Sequence, residues 1–219
     1  MGFSMVKRIF VTATNTDVGK TYTTKLLIKE FSSRGLSVGV IKPIETGVVD
    51  GYAPDGEILL QTIKKYNVNF KDIELKDIVP ITYELPSAPF IASSKTPLDL
   101  KKLDDSMMKL EKLCDVLIIE GAGGLYVPID ENYMMIDLIE YFKASTLLVT
   151  HCSLGCINDT ILSKRALDER GIKNMVAFNC RDEDESFSKI SEPYFLDTDK
   201  KVMIVNRDID TICNLLYNL

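Results

Sequence analysis

The stretch Ala13-Thr14-Asn15-Thr16-Asp17-Val18-Gly19-Lys20-Thr21 lies between a short apolar run (8–12) and a pattern of helical spacing (21–33). Its end, Gly-Lys-Thr, closes the pattern G-x-x-x-x-G-K-[ST], here with Thr14 where the first glycine belongs. In a strand–loop–helix setting, the backbone N–H groups of Asn15, Thr16, Asp17, Val18 and Gly19 and the positive end of the helix hold phosphate oxygens. Lys20 then reaches the β- and γ-phosphates and the Thr21 hydroxyl a Mg²⁺ ion, so the loop reads as a nucleotide site. A second cluster is Glu120-Gly121-Ala122-Gly123-Gly124, followed by Pro128. A carboxylate that ends an apolar strand beside a phosphate loop is the usual metal-binding acid. The glycines after it let backbone approach a substrate or phosphate closely.

Other polar residues admit two readings each. Lys42, with Pro43 behind it at the end of an apolar run, is either a solvated lysine or one that meets an anion across from the phosphate loop. Asp55 opens a helical pattern and serves as an N-terminal cap or as a metal acid. Gly155, Cys156, Ile157 and Asn158 read as a helix start whose free N–H groups suit a carboxylate. Asn179-Cys180-Arg181-Asp182 is one residue from N-K-x-D, the guanine-reading pattern. His151, the chain's single histidine, reads as structural, and Cys156 as packing, because no histidine–acid pair stands beside it to make a nucleophile.

The elements that must position these residues follow from the hydrophobic pattern. Compact apolar runs at 8–12, 37–41, 115–120, 146–150 and 174–178 alternate with helical spacings at 21–33, 55–66, 157–169 and 208–216, and with a helix opened by Pro97 and Asp99. Strands alternating with helices predict an α/β fold: one parallel sheet with helices on both faces, and a single domain over 1–219 in which residues 1–4 are a dispensable extension. In such sheets ligands sit beyond the carboxyl ends of the strands, where the polar clusters fall.

Composition narrows the partners. The 219 residues include 26 Lys and Arg against 32 Asp and Glu, a net charge of −6. An acidic surface argues against nucleic acid or anionic membrane as the main partner. No run approaches the ~18 apolar residues of a bilayer span, and residues 1–7 lack the apolar stretch of a signal peptide. The five cysteines, Cys114, Cys152, Cys156, Cys180 and Cys213, contain no C-x-x-C pair. They read as free thiols of a reduced, cytoplasmic protein and not as a zinc site.

Taken together the motifs resemble those of the dethiobiotin synthetases. The phosphate loop is similar to that family's G-T-D-T-x-V-G-K-T, with Ala13 and Asn15 replacing Gly and Asp. Lys42 through Gly47 resemble K-P-x-x-[ST]-G, Glu120 through Pro128 match E-G-A-G-G-x-x-x-P, and Pro86-Ser87-Ala88-Pro89-Phe90 resemble P-x-[SA]-P-H with Phe90 in place of histidine. The resemblance covers roughly 7–180. It implies that Lys42 binds a carbamate and the transferring phosphoryl, and that Thr46 contacts substrate. It also implies that Thr21, Asp55 and Glu120 hold Mg²⁺, Gly121, Ala122, Gly123 and Gly124 line the substrate, and Asn179 contacts the base. Gly155, Cys156, Ile157 and Asn158 would hold the substrate's carboxylate tail across a homodimer interface. Two departures stand out: one extra residue between Asp55 and Gln61, and the missing base-framing L-G-x-[IV]-P segment between Asp182 and Lys200.

The reaction so implied is ATP-dependent ring closure. An amine of 7,8-diaminononanoate captures CO₂ as a carbamate, the carbamate attacks the γ-phosphate, and the second amine expels phosphate. Catalysis then rests on Lys42, Lys20 and Thr46. Two rivals fit less well. Switch ATPases of the partition or septum-site type carry a lysine five residues before the loop lysine, where this chain has Asn15. A cobyrinate-type amide synthase needs a further glutaminase domain that 219 residues leave no room for.

Overall fold

The computed structural model describes residues 6–181, 184, 186–199 and 201–219. Asp182 and Lys200, and the extension at 1–4, lie outside the described residues. The chain runs β1 (Lys7–Ala13), α1 (Lys20–Ser33), β2 (Val38–Ile41), β3 (Ile44–Thr46), α2 (Pro54–Tyr66), α3 (Leu75–Ile78), β4 (Ile81–Tyr83), α4 (Pro89–Ala92) and α5 (Leu100–Glu111). It continues with β5 (Val116–Gly124), α6 (Met135–Tyr141), β6 (Ser145–His151), α7 (Cys156–Glu169), β7 (Asn174–Asn179), α8 (Phe187–Ile190), α9 (Glu192–Asp199) and α10 (Val205–Asn218).

Five strands form one parallel sheet in the order β2-β5-β1-β6-β7, as the alternating pattern predicts. The central strands β1 and β5 are apolar on both faces: Ile9, Phe10, Val11, Leu117, Ile118 and Ile119 are all fully buried. Such strands need cover above and below. The strand order supplies it, because β1→β2 steps one way along the sheet and β5→β6→β7 the other, and parallel crossovers are right-handed as a rule. Helix α1 packs on α2 and α10, while α7 packs on β6 and β7. Strand order reverses beside β1, so the loop after β1 opens at the switch point of the sheet.

Beyond the short helices α3, α4, α6, α8 and α9, which the sequence pattern does not give, four differences bear on the sheet, the last helix and the cysteines. β5 does not stop at Glu120 but continues to Gly124, with a register shift on β1 between Val11 and Ala13. β3 and β4 form a separate two-stranded parallel sheet, three residues each and too short to show a period. The last helix starts at Val205 and bends at Asp208 (φ −114°, ψ 18°). Finally, the cysteines are not all free, because Cys152 and Cys180 form a disulfide with Cα atoms 4.9 Å apart. The register explains the pairing: His151 lies opposite Asn179 on β6 and β7, so the next residue of each strand meets its counterpart. A sequence separation of 28 carries no sign of it. Cys114, Cys156 and Cys213 are free and buried.

Candidate functional site

The loop after β1 crosses the top of the sheet and enters α1 at Gly19, which takes φ +100°. An alanine Cβ there would lie 2.1 Å from the Asn179 amide nitrogen. That side chain, at the end of β7, donates to the Val18 carbonyl at 2.8 Å and braces the loop from below. From the outer side, an Arg181 guanidinium nitrogen donates to the Asp17 carbonyl at 2.5 Å. Thr14 N–H donates to Val149 O on β6, tying the loop's first turn to the sheet. Lys20 folds back over its own loop and donates to the Asn15 carbonyl at 3.1 Å. Burial, and then the nearby Lys42 ammonium, lower the Lys20 pKa to about 8. A cation so poorly compensated is poised for polyanionic oxygens.

Opposite the loop, β2 delivers Lys42 and β5 delivers Glu120, both almost wholly enclosed. Lys42 Nζ donates to Asp55 Oδ2 at 2.6 Å and to Glu120 Oε1 at 2.9 Å. Burial alone would lower the Lys42 pKa, but the two carboxylates outweigh it and hold the ammonium above the ordinary lysine value. Asp55 is likewise held below the usual carboxylate range, its partial burial outweighed by Lys42. The Thr21 hydroxyl donates to the same Glu120 Oε1 at 2.8 Å. Glu120 Oε2 is buried and has no hydrogen-bond partner among the described residues.

An orphaned buried carboxylate oxygen is costly unless something charged meets it. Thr21, Asp55 and Glu120 offer one hydroxyl and two carboxylates, an all-oxygen set suited to Mg²⁺, which keeps most of its shell for water and phosphate. Among the described residues no group of three or more His, Cys, Asp or Glu is placed to hold a metal ion. The residues present therefore fit Mg²⁺ held jointly with a nucleotide.

These groups open into one cavity of about 780 Å³, lined by Thr16, Asp17, Gly19, Lys20, Thr21, Lys42, Thr46, Asp55, Ala122 and Gly123 among others. Pro86, Ser87, Ala88 and Pro89 form its far wall. Gly123 takes φ +66°, which turns the chain away at the cavity edge. Phe90 lies just beyond the wall at the start of α4, with the Lys95 ammonium 5.8 Å over its ring. The structure thus gathers the phosphate loop, Lys42, Thr46, Asp55 and the Glu120 strand in one place.

It does not bring Gly155, Cys156, Ile157 or Asn158 into that cavity. They start α7, beyond a second depression of about 360 Å³ lined by Asn15, Val18, His151, Ser153, Asn179 and Arg181. The Cys156 side chain points inward and packs with Phe178, Phe187 and the Cys152 half of the disulfide. His151 bridges Ser153 Oγ at 2.6 Å and Asp159 Oδ2 at 3.0 Å, which holds the turn ahead of α7. Sequence patterns missed two residues. Arg181 falls on the unspecified position of the near-match to N-K-x-D, and Glu45 on an unspecified position of K-P-x-x-[ST]-G, in the strand Ile44-Glu45-Thr46. Glu45 lies at the base of the cavity, and burial pushes its pKa up.

Comparison with known proteins adds the following. A family model described as "AAA domain" matches residues 7–211. An ATP-dependent dethiobiotin synthetase of Sulfurovum sp. is 45% identical over 187 residues, covering 85% of this chain and 89% of that protein. Its counterparts in Wolinella succinogenes (34% identity, 97% and 99% coverage) and Methanocaldococcus jannaschii (35%, 78% and 79%) are similar over most of their length. Among solved structures, a plasmid partition protein of Borrelia burgdorferi superposes with a TM-score of 0.57 at 12% identity, covering 98% of this chain and 97% of that one. A MinC:MinD complex of Aquifex aeolicus gives 0.52 at 14%, covering 95% and 86%. At these identities the structures attest to the phosphate-loop fold alone.

Proposed function

The chain belongs to the ATP-dependent dethiobiotin synthetase family, and from that premise we propose that its main cavity closes the ureido ring of dethiobiotin from 7,8-diaminononanoate, CO₂ and ATP. The observation that carries the assignment is Lys42, a buried cation held by Asp55 and Glu120 and facing the phosphate-loop lysine across one cavity. A switch ATPase has no need of an enclosed cation on the substrate side. The like structures of partition and septum-site type support the fold and not that activity.

The ATP triphosphate lies on the N–H groups of Asn15, Thr16, Asp17, Val18 and Gly19, with Lys20 on the β- and γ-oxygens. Asn179 underlies the base side. Thr21, Asp55 and Glu120 would hold Mg²⁺, which supplies charge neutralisation at the β- and γ-phosphates. One amine of the diamine adds to CO₂ and loses a proton, giving a carbamate. Lys42, with Thr46 beside it, orients that carbamate in line with the γ-phosphate. The carbamate oxygen displaces ADP to form a carbamic-phosphoric anhydride. The second amine then attacks the carbonyl, the ring closes and phosphate leaves. No histidine base enters, because CO₂ capture itself makes the nucleophile anionic.

The backbone of Gly121, Ala122, Gly123 and Gly124 lines the diamine. The start of α7 at Gly155, Cys156, Ile157 and Asn158 faces a second copy of the chain through its backbone, with the Cys156 side chain turned inward, and takes that copy's substrate carboxylate, which makes the active form a homodimer. Among the described residues no helix is long and apolar enough to cross a membrane. We place the enzyme in the cytoplasm, where ATP is available, and take small molecules as its partners in place of nucleic acid or membrane.

Phosphate release with Mg²⁺, bicarbonate, ATP and diamine, each omitted in turn, tests the proposal. Release that requires all four is expected, and hydrolysis indifferent to the diamine would overturn it. Repeating the assay with GTP and CTP reads base preference. Sedimentation of the active enzyme reads the dimer, which a fully active monomer would refute.

A further inference from the structure

Helix α2 carries Asp55 in its first turn but lacks the means to end itself. Its N-cap is Ala53, which has no side-chain oxygen, and Pro54 follows with no N–H to offer. The first donors left free are therefore the N–H groups of Asp55 and Gly56. Both are taken by one side chain from another element: Glu45 of β3 accepts from Asp55 N–H through Oε1 at 2.8 Å and from Gly56 N–H through Oε2 at 2.9 Å. Glu45 is 4% exposed. The close approach needs the glycine, because a Cβ on residue 56 would lie 3.1 Å from Glu45 Oε2 and 2.3 Å from the Val79 side chain.

The consequence is mechanical. Glu45 stands between Lys42 and Thr46 on the segment that forms the substrate side of the cavity. Its two bonds clamp the start of α2 to that segment, and Asp55 reaches back from the clamped turn to Lys42 at 2.6 Å. We propose that Glu45 is a positioning residue for the Mg²⁺ site: by capping α2 it fixes where the Asp55 carboxylate stands relative to Lys42 and Glu120. A carboxylate is suited to the task because it accepts two bonds at once and lies at the positive end of the helix. This inference rests on the proposed role of Asp55 as a metal-holding acid.

Partners that orient metal-holding groups typically change metal affinity about ten- to a hundredfold when altered. The test uses Glu45→Gln, which keeps the shape but turns an N–H donor toward a backbone N–H. A second variant, Glu45→Asp, keeps the charge but withdraws it by one carbon, out of reach of one of the two donors. Asp55→Asn is the control. Each full-length protein, loaded with a non-hydrolysable ATP analogue, is titrated with Mn²⁺ and followed by electron paramagnetic resonance. Affinity for the analogue without metal is measured in parallel.

We expect Mn²⁺ affinity about tenfold weaker in both Glu45 variants and at least as weak in Asp55→Asn, with metal-free nucleotide affinity unchanged. If Asp55→Asn weakens the metal and neither Glu45 variant does, the positioning role falls and the role of Asp55 stands. If Asp55→Asn leaves the metal unaffected, both fall. A matching loss of metal-free nucleotide affinity in the Glu45 variants would make Glu45 a fold residue only and overturn the inference.

Discussion

Replacing Lys42 with methionine removes the ammonium and keeps the stem that fills the space between β2 and β5. Two costs follow, and they can be separated. One is structural: Asp55 and Glu120 lose their common cation. Breaking a buried ion pair by removing one member costs about 3–5 kcal/mol, and the Asp55 half must be discounted because its side chain is 42% exposed. The other is catalytic. A unit charge about 4 Å from the moving phosphoryl, at an effective dielectric near 20, is worth ~4 kcal/mol. Only the part that grows between bound ATP and the transition state accelerates the reaction. Loss of one preorganised donor of this kind typically costs about 10²–10³ in kcat. Turnover at saturating Mg²⁺ and substrates should therefore fall at least a hundredfold, measured as phosphate release in the variant well below its melting temperature. Nucleotide affinity should survive, because the phosphate loop, Lys20 and Asn179 are untouched. Turnover within about threefold of the unaltered enzyme would remove Lys42 from the chemistry. An equal loss of nucleotide affinity would mean that its role is only to hold the site together.

Three further outcomes follow from the same geometry. Gly19→Ala forces a Cβ onto the Asn179 amide at φ +100°, strain of about 1–3 kcal/mol that should weaken ATP binding by roughly tenfold or more in calorimetry. Unreduced, denatured protein should titrate three thiols (Cys114, Cys156, Cys213), and five after reduction. Before denaturation, Cys114 and Cys213, pushed up to about 12 chiefly by burial, should resist alkylation at pH 8, where only on the order of one thiol in 10⁴ is ionised. Asp99→Ala removes the side chain that accepts Lys102 N–H at the start of α5. It should lower stability by about 0.5–2 kcal/mol in denaturant titration and leave turnover unchanged, since α5 is remote from the cavity.

What was legible in the sequence was whatever a local pattern can carry. The apolar runs that became β1, β2, β5, β6 and β7 read correctly because strands buried on both faces are continuous in sequence. Recognising the strands also located the phosphate loop after β1, Lys42 just after β2 and Glu120 on β5, although β5 runs on past Glu120 to Gly124. Contacts set by register across distant elements were illegible. The Cys152–Cys180 bond depends on β6 and β7 being neighbours in one register. The Glu45 cap depends on a three-residue strand that no period reveals, and on a helix whose own cap position is an alanine. Asn179 was anticipated as a base contact; what the structure shows is its amide donating to the Val18 carbonyl and supporting the loop from the protein side.

The net charge of −6 shows why bulk numbers constrain so little at a site. A global negative field disfavours extended polyanions, whose many charges sample the whole surface. A small anion samples only what lines its cavity. Here that is Lys20, Lys42 and Arg181, the N–H groups of the phosphate loop, and carboxylates of which Asp55, with Glu120 behind Lys42, can recruit a divalent cation. Asp55 and Glu120 look like the wrong charges for an anion site, and in isolation they would repel phosphate. Their arrangement resolves this, because both bind the same lysine, and Glu120 Oε2 is left buried with no hydrogen-bond partner among the described residues. Metal and nucleotide should therefore enter as one neutralising unit. On that basis ATP without Mg²⁺ should bind this cavity more weakly than MgATP, and equal affinities for the two forms would contradict the assignment of Asp55 and Glu120.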